Sequence, residues 1–394
     1  MDHRSAEGAA IRPLKVMTVF GTRPEAIKMA PLVKELESRP EFDCLCCVTA
    51  QHRQMLDGVL EIFRINPQFD LDIMEPRQSL STITSKCLLG LERVLEEQRP
   101  DLVLVHGDTS TTFAGALAAF YQKIAVGHVE AGLRTGDRYS PFPEEMNRSL
   151  VGRLASLHFC PTPANRANLA AEGITQGVYV TGNTVIDALR TTVVKDYKFT
   201  TDALNHIDYT GRKVVLVTCH RRENYGAPME QIMSALRQLA LERPEVELIY
   251  PVHLSPVVQE AAHRHLDGLP NVHLIPPLTA DEMHNLMARS YLVMTDSGGL
   301  QEEAPALGKP VLVLRQETER PEAVEAGTVK LAGVETRRIL ALALELIDDP
   351  GAYATMARAV NPYGDGQACR RIAEAILFEF GRSDRQPEPF RERA

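Results

Sequence analysis

The chain reads as an α/β protein of two domains, each a parallel sheet covered by helices on both faces. Short, near-continuous apolar runs alternate with longer segments of helical apolar spacing, the pattern of strands buried by crossover helices. At 394 residues the chain exceeds what one core usually organises, and two domains of roughly 180 residues fit the domain-size prior. The alternation lapses once, over residues 187–209, where charges replace apolar repeats. The boundary is therefore placed at Asp187, giving domains 1–187 and 188–364 and a closing helix at about 365–381.

The elements follow in order. Leu14–Phe20 is an apolar strand ending in Gly21-Thr22-Arg23-Pro24, after which Ala26, Ile27, Met29, Ala30, Leu32, Val33 and Leu36 have helical spacing. A helix start there offers backbone N–H groups, and Arg23 and Lys28 add full charges, so the turn reads as an anion site. G-x-G-x-x-G is absent, which argues against a dinucleotide. A strand over 42–49 leads to Gln51-His52-Arg53-Gln54 and a helix from about Met55. Residues 81–98 form an amphipathic helix, and 101–105 a strand capped by His106-Gly107-Asp108-Thr109. Ser110 or its neighbour caps the Ala-rich helix that reaches Tyr121.

Residues 127–148, GHVEAGLRTGDRYSPFPEEMNR, follow the apolar run 124–126 and are too dense in charge for plain loop solvation. They stand where a strand ends, the place where α/β folds gather ligands. Pro143 suits the first position of a helix carrying Glu144 and Arg148 four residues apart. A strand at 157–160, a helix at 163–171 and a strand at 178–180 complete the first half. In the second half, strand 213–218 ends in Cys219-His220-Arg221-Arg222. Helices near 229–241, 256–265 and 281–288 alternate with strands 246–250, 272–275 and 291–295. Asp296-Ser297-Gly298-Gly299 then opens a helix with Gln301, Glu302 and Glu303. A strand at 310–314 and helices at 339–347 and 369–380 close the chain.

Composition narrows the function. Hydrophobic content of 44% and charged content of 24% are those of an ordinary globular protein. A net charge of −9 argues against a nucleic-acid partner, so a polyanionic ligand must be held by local Arg and Lys. No run reaches the ~18 apolar residues of a membrane span, and the polar first twelve residues lack a secretory core, so no membrane partner and a cytoplasmic location are expected. The seven cysteines read as reduced thiols. Cys44 and Cys47 form a C-x-x-C, but within a strand whose alternation sends them to opposite faces.

Two turns, 21–28 and 297–299, are anion sites in this reading, since glycine lets backbone N–H groups approach a phosphate. Glu303, one turn into its helix, suits a ribose diol, and His220 beside Arg221 and Arg222 suits a phosphate or an acid role. His263, His265 and His284 read as exposed helix residues without a role. Asp108, Glu130 and Glu144 come from three separate elements; converging, they would repel, raise at least one pKa and supply proton transfer. H-x-x-H, D-x-D and H-E-x-x-H are absent, so no metal site is expected.

With these residues assembled, the chain resembles the non-hydrolysing UDP-N-acetylglucosamine 2-epimerases. The matching stretches include FGTRPEAIKMAPL (20–32), TAQHRQML (49–56), HGDTSTTFAGALAAFY (106–121), GHVEAGLRTGD (127–137) and PFPEEMNR (141–148). TGNTVIDAL (181–189), HRRENYG (220–226), YPVHLSPVV (250–258), TDSGGLQEEAPALGKPVLVLR (295–315) and TERPEA (318–323) continue the order. The resemblance implies two Rossmann-like domains in a GT-B arrangement, UDP-sugar in the interdomain cleft, a last helix crossing back to the first domain, and a homodimer.

By the same resemblance, phosphate and ribose roles fall on Arg23, His220, Ser297, Gly298, Gly299 and Glu303, with Lys28 and Arg320 nearby, and proton transfer on Asp108, Glu130 and Glu144. An activating site falls on Gln51, Gln54, Arg77, Arg221 and His253. The uracil pocket departs from the pattern, with Met283 and nearby Leu278 where relatives often carry an aromatic, and Gln316-Glu317 is also unusual. The implied reaction expels UDP to a 2-acetamidoglucal and adds it back, needs no cofactor, and supplies N-acetylmannosamine units for cell-surface polysaccharide. A GT-B glycosyltransferase, a hydrolysing epimerase and a non-catalytic nucleotide-sugar sensor are the alternatives.

Overall fold

The computed structural model describes residues 12–50, 53–75, 77–318 and 320–391, the side chains of 53–55 excepted. Its compact units divide at Val180–Thr181, and the first also takes in Cys369–Glu388. This division falls ahead of the predicted Asp187, which lies inside a helix of the second unit. The charged stretch after Asp187 drew the boundary too late, because the helix before it already belongs to the second core.

The first unit runs β1 (Leu14–Phe20), α1 (Arg23–Glu37), β2 (Phe42–Val48), α2 (Arg53–Ile62), β3 (Phe69–Asp70), α3 (Leu80–Gln98), β4 (Leu102–His106) and α4 (Ser110–Tyr121). It continues with β5 (Ala125–Val129), α5 (Glu144–Leu154), β6 (Leu157–Cys160), α6 (Pro163–Ala171) and β7 (Val178–Val180). Among the described residues its strands form one parallel sheet in the order β3-β2-β1-β4-β5-β6-β7. Val16, Val19, Val103 and Val105 are fully buried, as strands covered on both faces require.

The second unit comprises α7 (Thr184–Thr192), β8 (Lys213–Thr218), α8 (Ala227–Glu242), β9 (Val246–Pro251), α9 (Pro256–Leu266), β10 (Val272–Ile275), α10 (Ala280–Arg289) and β11 (Leu292–Thr295). It continues with α11 (Gly298–Ala306), β12 (Val311–Val313), α12 (Pro321–Glu325), β13 (Val329–Leu331), α13 (Thr336–Asp348) and α14 (Pro350–Ala357). Its parallel sheet has the order β10-β9-β8-β11-β12-β13. Alternation along β8 divides the core: Val215 and Val217 pack with α8 residues such as Ile232, while Val214 and Leu216 pack with Leu189 and Leu286 on the opposite face.

The last helix, α15 (Ala368–Glu379), belongs to the first unit from Cys369 onward, and Tyr179 Oη donates to Glu379 Oε1 at 2.5 Å. Both sheets reverse direction of winding between two central strands, β1/β4 and β8/β11. Ligands of doubly wound folds bind outside the carboxyl ends of such a pair. The thiols of β2 are structural: Cys46 and Cys47 are buried, and burial pushes the Cys44 and Cys46 pKa values up to about 12. Among the described residues no helix is long and apolar enough to cross a membrane.

Candidate active site

At the β1/β4 switch point, Thr22 caps α1 and Glu25 closes a capping box. Glu25 Oε2 accepts from Gly21 N at 3.0 Å and Thr22 N at 2.7 Å, while Oε1 accepts from Thr109 Oγ1 at 2.7 Å and Thr112 Oγ1 at 3.1 Å. Burial raises the Glu25 pKa in spite of these donors. This corrects the reading of the turn as a backbone anion site: two of its N–H groups are given to an internal carboxylate. Its positive charge comes instead from the half-buried side chains of Arg23 and Lys28.

The predicted proton-transfer residues sit on three elements of this unit, but not as a bare acidic triad. Glu130, just past β5, is 8% exposed and ion-paired with Lys28, with His106 Nε2 3.7 Å from the same Oε2. Its backbone has φ +62°, the left-handed region that a non-glycine residue adopts at a cost. Asp108, past β4, is ion-paired with Arg148, and its carbonyl accepts from Asn147 Nδ2 at 2.9 Å. Glu144 opens α5 one turn ahead of Arg148, and its Oε2 is buried without a hydrogen bond among the described residues. Mutual repulsion is therefore replaced, for two of the three, by pairing with a cation.

Three histidines on neighbouring strands went unread in the sequence. His106, His128 and His158 are buried on β4, β5 and β6, and desolvation lowers their pKa values to about 4, 3 and 4. His128 Nε2 meets Gly107 O at 2.7 Å, whereas both ring nitrogens of His106 lack a hydrogen bond among the described residues. Their only sequence signal is a histidine inside an otherwise apolar strand.

In the second unit the β8/β11 switch point carries the phosphate candidates. Ser297 is the N-cap of α11 and makes no side-chain cap bond among the described residues, and the helix begins with Gly298 and Gly299. A Cβ on Gly298 would lie 2.7 Å from Arg320 Nη1, which places the guanidinium against this turn. Glu302 holds Arg320 there, accepting from its Nε at 2.6 Å and from Asn183 Nδ2 at 3.0 Å. Glu303 is 9% exposed, with His284 Nε2 at 3.4 Å.

His220 follows β8, with its ring stacked on His253 at 5.4 Å and 15° and its Nδ1 3.5 Å from Asp296 Oδ1. Burial lowers its pKa, against the opposing charge of Asp296. His284, expected to be exposed, is instead 2% exposed and shares a 2.7 Å hydrogen bond with Thr192 Oγ1, because α10 turns this face into the core. His265 is half-buried on Glu230 at 2.7 Å, and His263 is exposed as expected.

Leu278 is 4% exposed within the second-unit core, and Met283 packs against the same cluster. Of the expected activating residues, Gln51 lies outside the described residues and only the backbone of Gln54, in α2, is described. Arg77 is exposed on the first unit; Arg221 is half-buried and His253 exposed on the second.

Two parallel sheets wound about a central switch point, with charged groups gathered at the strand ends, define the Rossmann-like class of α/β proteins. A family profile described as UDP-N-acetylglucosamine 2-epimerase matches residues 34–377. The chain belongs to the UDP-N-acetylglucosamine 2-epimerase family. It is 57% identical over 382 residues to the UDP-N-acetylglucosamine 2-epimerase of Bacillus subtilis (strain 168), covering 96% of this chain and 99% of that one. It is 54% identical over 371 residues to the enzyme of that name from Salmonella typhimurium, covering 92% and 98%. The crystal structure of UDP-GlcNAc 2-epimerase from Neisseria meningitidis bound to UDP-GlcNAc superposes with a TM-score of 0.85 at 51% identity, covering 92% of this chain and 100% of that one.

Proposed function

We propose that this protein interconverts UDP-N-acetylglucosamine and UDP-N-acetylmannosamine without releasing free sugar. The C2 proton is not acidic enough for direct removal, so a carboxylate takes it while the C1–O bond breaks and UDP leaves, giving 2-acetamidoglucal. Returning a proton to the other face of C2 and UDP to C1 completes the inversion. No hydride acceptor is needed. The observation that carries this reading is the group of Asp108, Glu130 and Glu144 on three elements of one unit, two paired with a cation and the third with a buried Oε2 that has no hydrogen bond among the described residues. An acid and a base in different environments suit the two proton transfers.

The uncapped start of α11 with Arg320 beside it supports a diphosphate site, and Glu303 a ribose contact. Such donors would stabilise leaving-group charge as well as anchor UDP. Arg23 and His220 add positive or donor groups at their own switch points.

NMR of the purified protein with UDP-N-acetylglucosamine in heavy water tests the reaction. Product deuterated at C2 is expected, because a carboxylic acid exchanges its proton with solvent. Epimerised product that keeps C2 protium would sink the elimination pathway; free N-acetylmannosamine with UDP would mark a hydrolysing enzyme, and an untouched C2 a glycosyltransferase.

A second reading, that substrate also activates the enzyme through Gln51, Gln54, Arg77, Arg221 and His253, draws support from the stacking of His253 on His220. Reverse epimerisation that is hyperbolic and indifferent to traces of UDP-N-acetylglucosamine would exclude it. The product then serves as the N-acetylmannosamine donor for polysaccharide synthesis, and a cytoplasmic homodimer is the expected form.

A further inference from the structure

Asp296, between β11 and α11, has 0% exposure and lies outside the groups assigned above to UDP. One of its oxygens is fully used: Oδ2 accepts from His220 N at 2.7 Å, Arg221 N at 2.8 Å and Asn224 Nδ2 at 3.1 Å. The other, Oδ1, is buried without a hydrogen bond among the described residues and faces His220 Nδ1 at 3.5 Å. A buried carboxylate oxygen without a donor is costly, and an imidazole N–H is a strong donor within reach. The thiol of Cys219 is the neighbouring alternative but a weak one.

The stacked neighbour restricts the ring further. His253 Nδ1 accepts from Ser255 N at 3.0 Å, so when neutral that ring carries its proton on Nε2. His220 is thus flanked by a ring and by a buried carboxylate.

We propose that Asp296 is a positioning residue for His220, its Oδ1 accepting the Nδ1–H so that one tautomer and one ring orientation are held and Nε2 is the nitrogen left for a ligand. The inference deepens, and rests on, the reading of His220 as a contact to the departing diphosphate. The arrangement has the logic of a carboxylate orienting a catalytic imidazole. The charged and titratable groups facing His220 are Asp296, His253 and Arg221; Asp296 alone favours the imidazolium, so its charge sets how readily the ring carries a proton toward a phosphate.

The test reads the ring directly. Protein labelled with ¹⁵N-histidine is examined by long-range ¹H–¹⁵N correlation, the His220 signals being assigned by their loss in His220→Gln. Wild type is expected to show the Nδ1–H tautomer. In Asp296→Asn the three N–H donors keep the amide oxygen on their side and the amide N–H₂ faces the ring, so His220 should switch to Nε2–H. Its pKa should fall by about one unit or more.

With epimerase turnover measured alongside, kcat should drop on the order of tenfold to a hundredfold, with the high-pH limb of the kcat/KM profile moved to lower pH. Nε2–H in the wild type would overturn the proposal, as would an unchanged tautomer and pKa in folded Asp296→Asn. If that variant does not fold, the wild-type tautomer decides. Because the spectrum needs no turnover, an Nδ1–H ring in a protein without epimerase activity would uphold the positioning while refuting the proposed reaction.

Discussion

Glu130 and Asp108 are bound to cations that the local sequence does not supply, so replacing them has two separable effects. Glu130→Gln and Asp108→Asn are each expected to lower turnover by on the order of 100-fold or more, as loss of an acid–base group does. Glu130→Gln additionally removes the carboxylate from an ion pair whose Lys28 side chain is 12% exposed, and should lower the urea midpoint. Glu144 has no such partner at Oε2 among the described residues, so Glu144→Gln should lose comparable turnover with little change in a urea midpoint. Near-normal kcat in any of the three removes that carboxylate from the mechanism; equal stability loss in all three would contradict the pairing argument.

Two helices begin after a glycine-bearing strand end, and they use that start differently. Ahead of α1 the N–H groups of Gly21 and Thr22 are given to Glu25, whereas α11 has no side-chain cap bond at Ser297 and an arginine beside its first glycine. Gly298→Ala would push a methyl to 2.7 Å from Arg320 Nη1, a movable group, so the expected result is UDP affinity about tenfold weaker by calorimetry with little change in Tm. Gly21→Ala would instead meet Thr49 Oγ1 at 2.0 Å and Thr111 Oγ1 at 2.7 Å, both on fully buried residues. It should cost stability, about 1–3 kcal/mol, in thermal unfolding. Reversed outcomes would mean that the two turns have been assigned the wrong roles.

For the molecule as a whole, acid sensitivity follows from the three strand histidines. His106, His128 and His158 have folded pKa values of about 4, 3 and 4, below the ordinary 6.5. The unfolded chain therefore binds protons that the folded one refuses as pH falls. Their contribution to stability is intact above about pH 6.5 and is lost progressively toward about pH 4, on the order of 1 kcal/mol per histidine per pKa unit. Tm should decline over that window, and a flat Tm from pH 7 to 4.5 would refute it. On helices α3, α4 and α5, Leu89, Phe120, Tyr121 and Leu150 are exposed at 58%, 55%, 63% and 43%. If the expected homodimer uses these side chains, Phe120→Glu should yield monomer in sedimentation; an unchanged dimer would place the interface elsewhere.

The sequence by itself determined most of the order of strands and helices and which polar residues follow the strands. Apolar runs of four to seven residues such as Leu157–Cys160 and Leu14–Phe20 carry their own signal, and the polar residues that follow each run fall at the sheet ends whatever the detailed packing. Phe69–Asp70 and Val329–Leu331 went unread: two residues have no period, and Lys330 interrupts the second run. Only the tertiary structure decided which charges meet: Lys28 finds Glu130 102 residues away, and Arg148 finds Asp108 40 residues away. It also decided that Thr109 and Thr112, more than 80 residues away, complete the donors on Glu25, and that His284 faces a core rather than water. Local periodicity reports which face of an element is apolar; hydrogen bonds and ion pairs between distant strands depend on how the sheet orders those strands, and no local pattern encodes that.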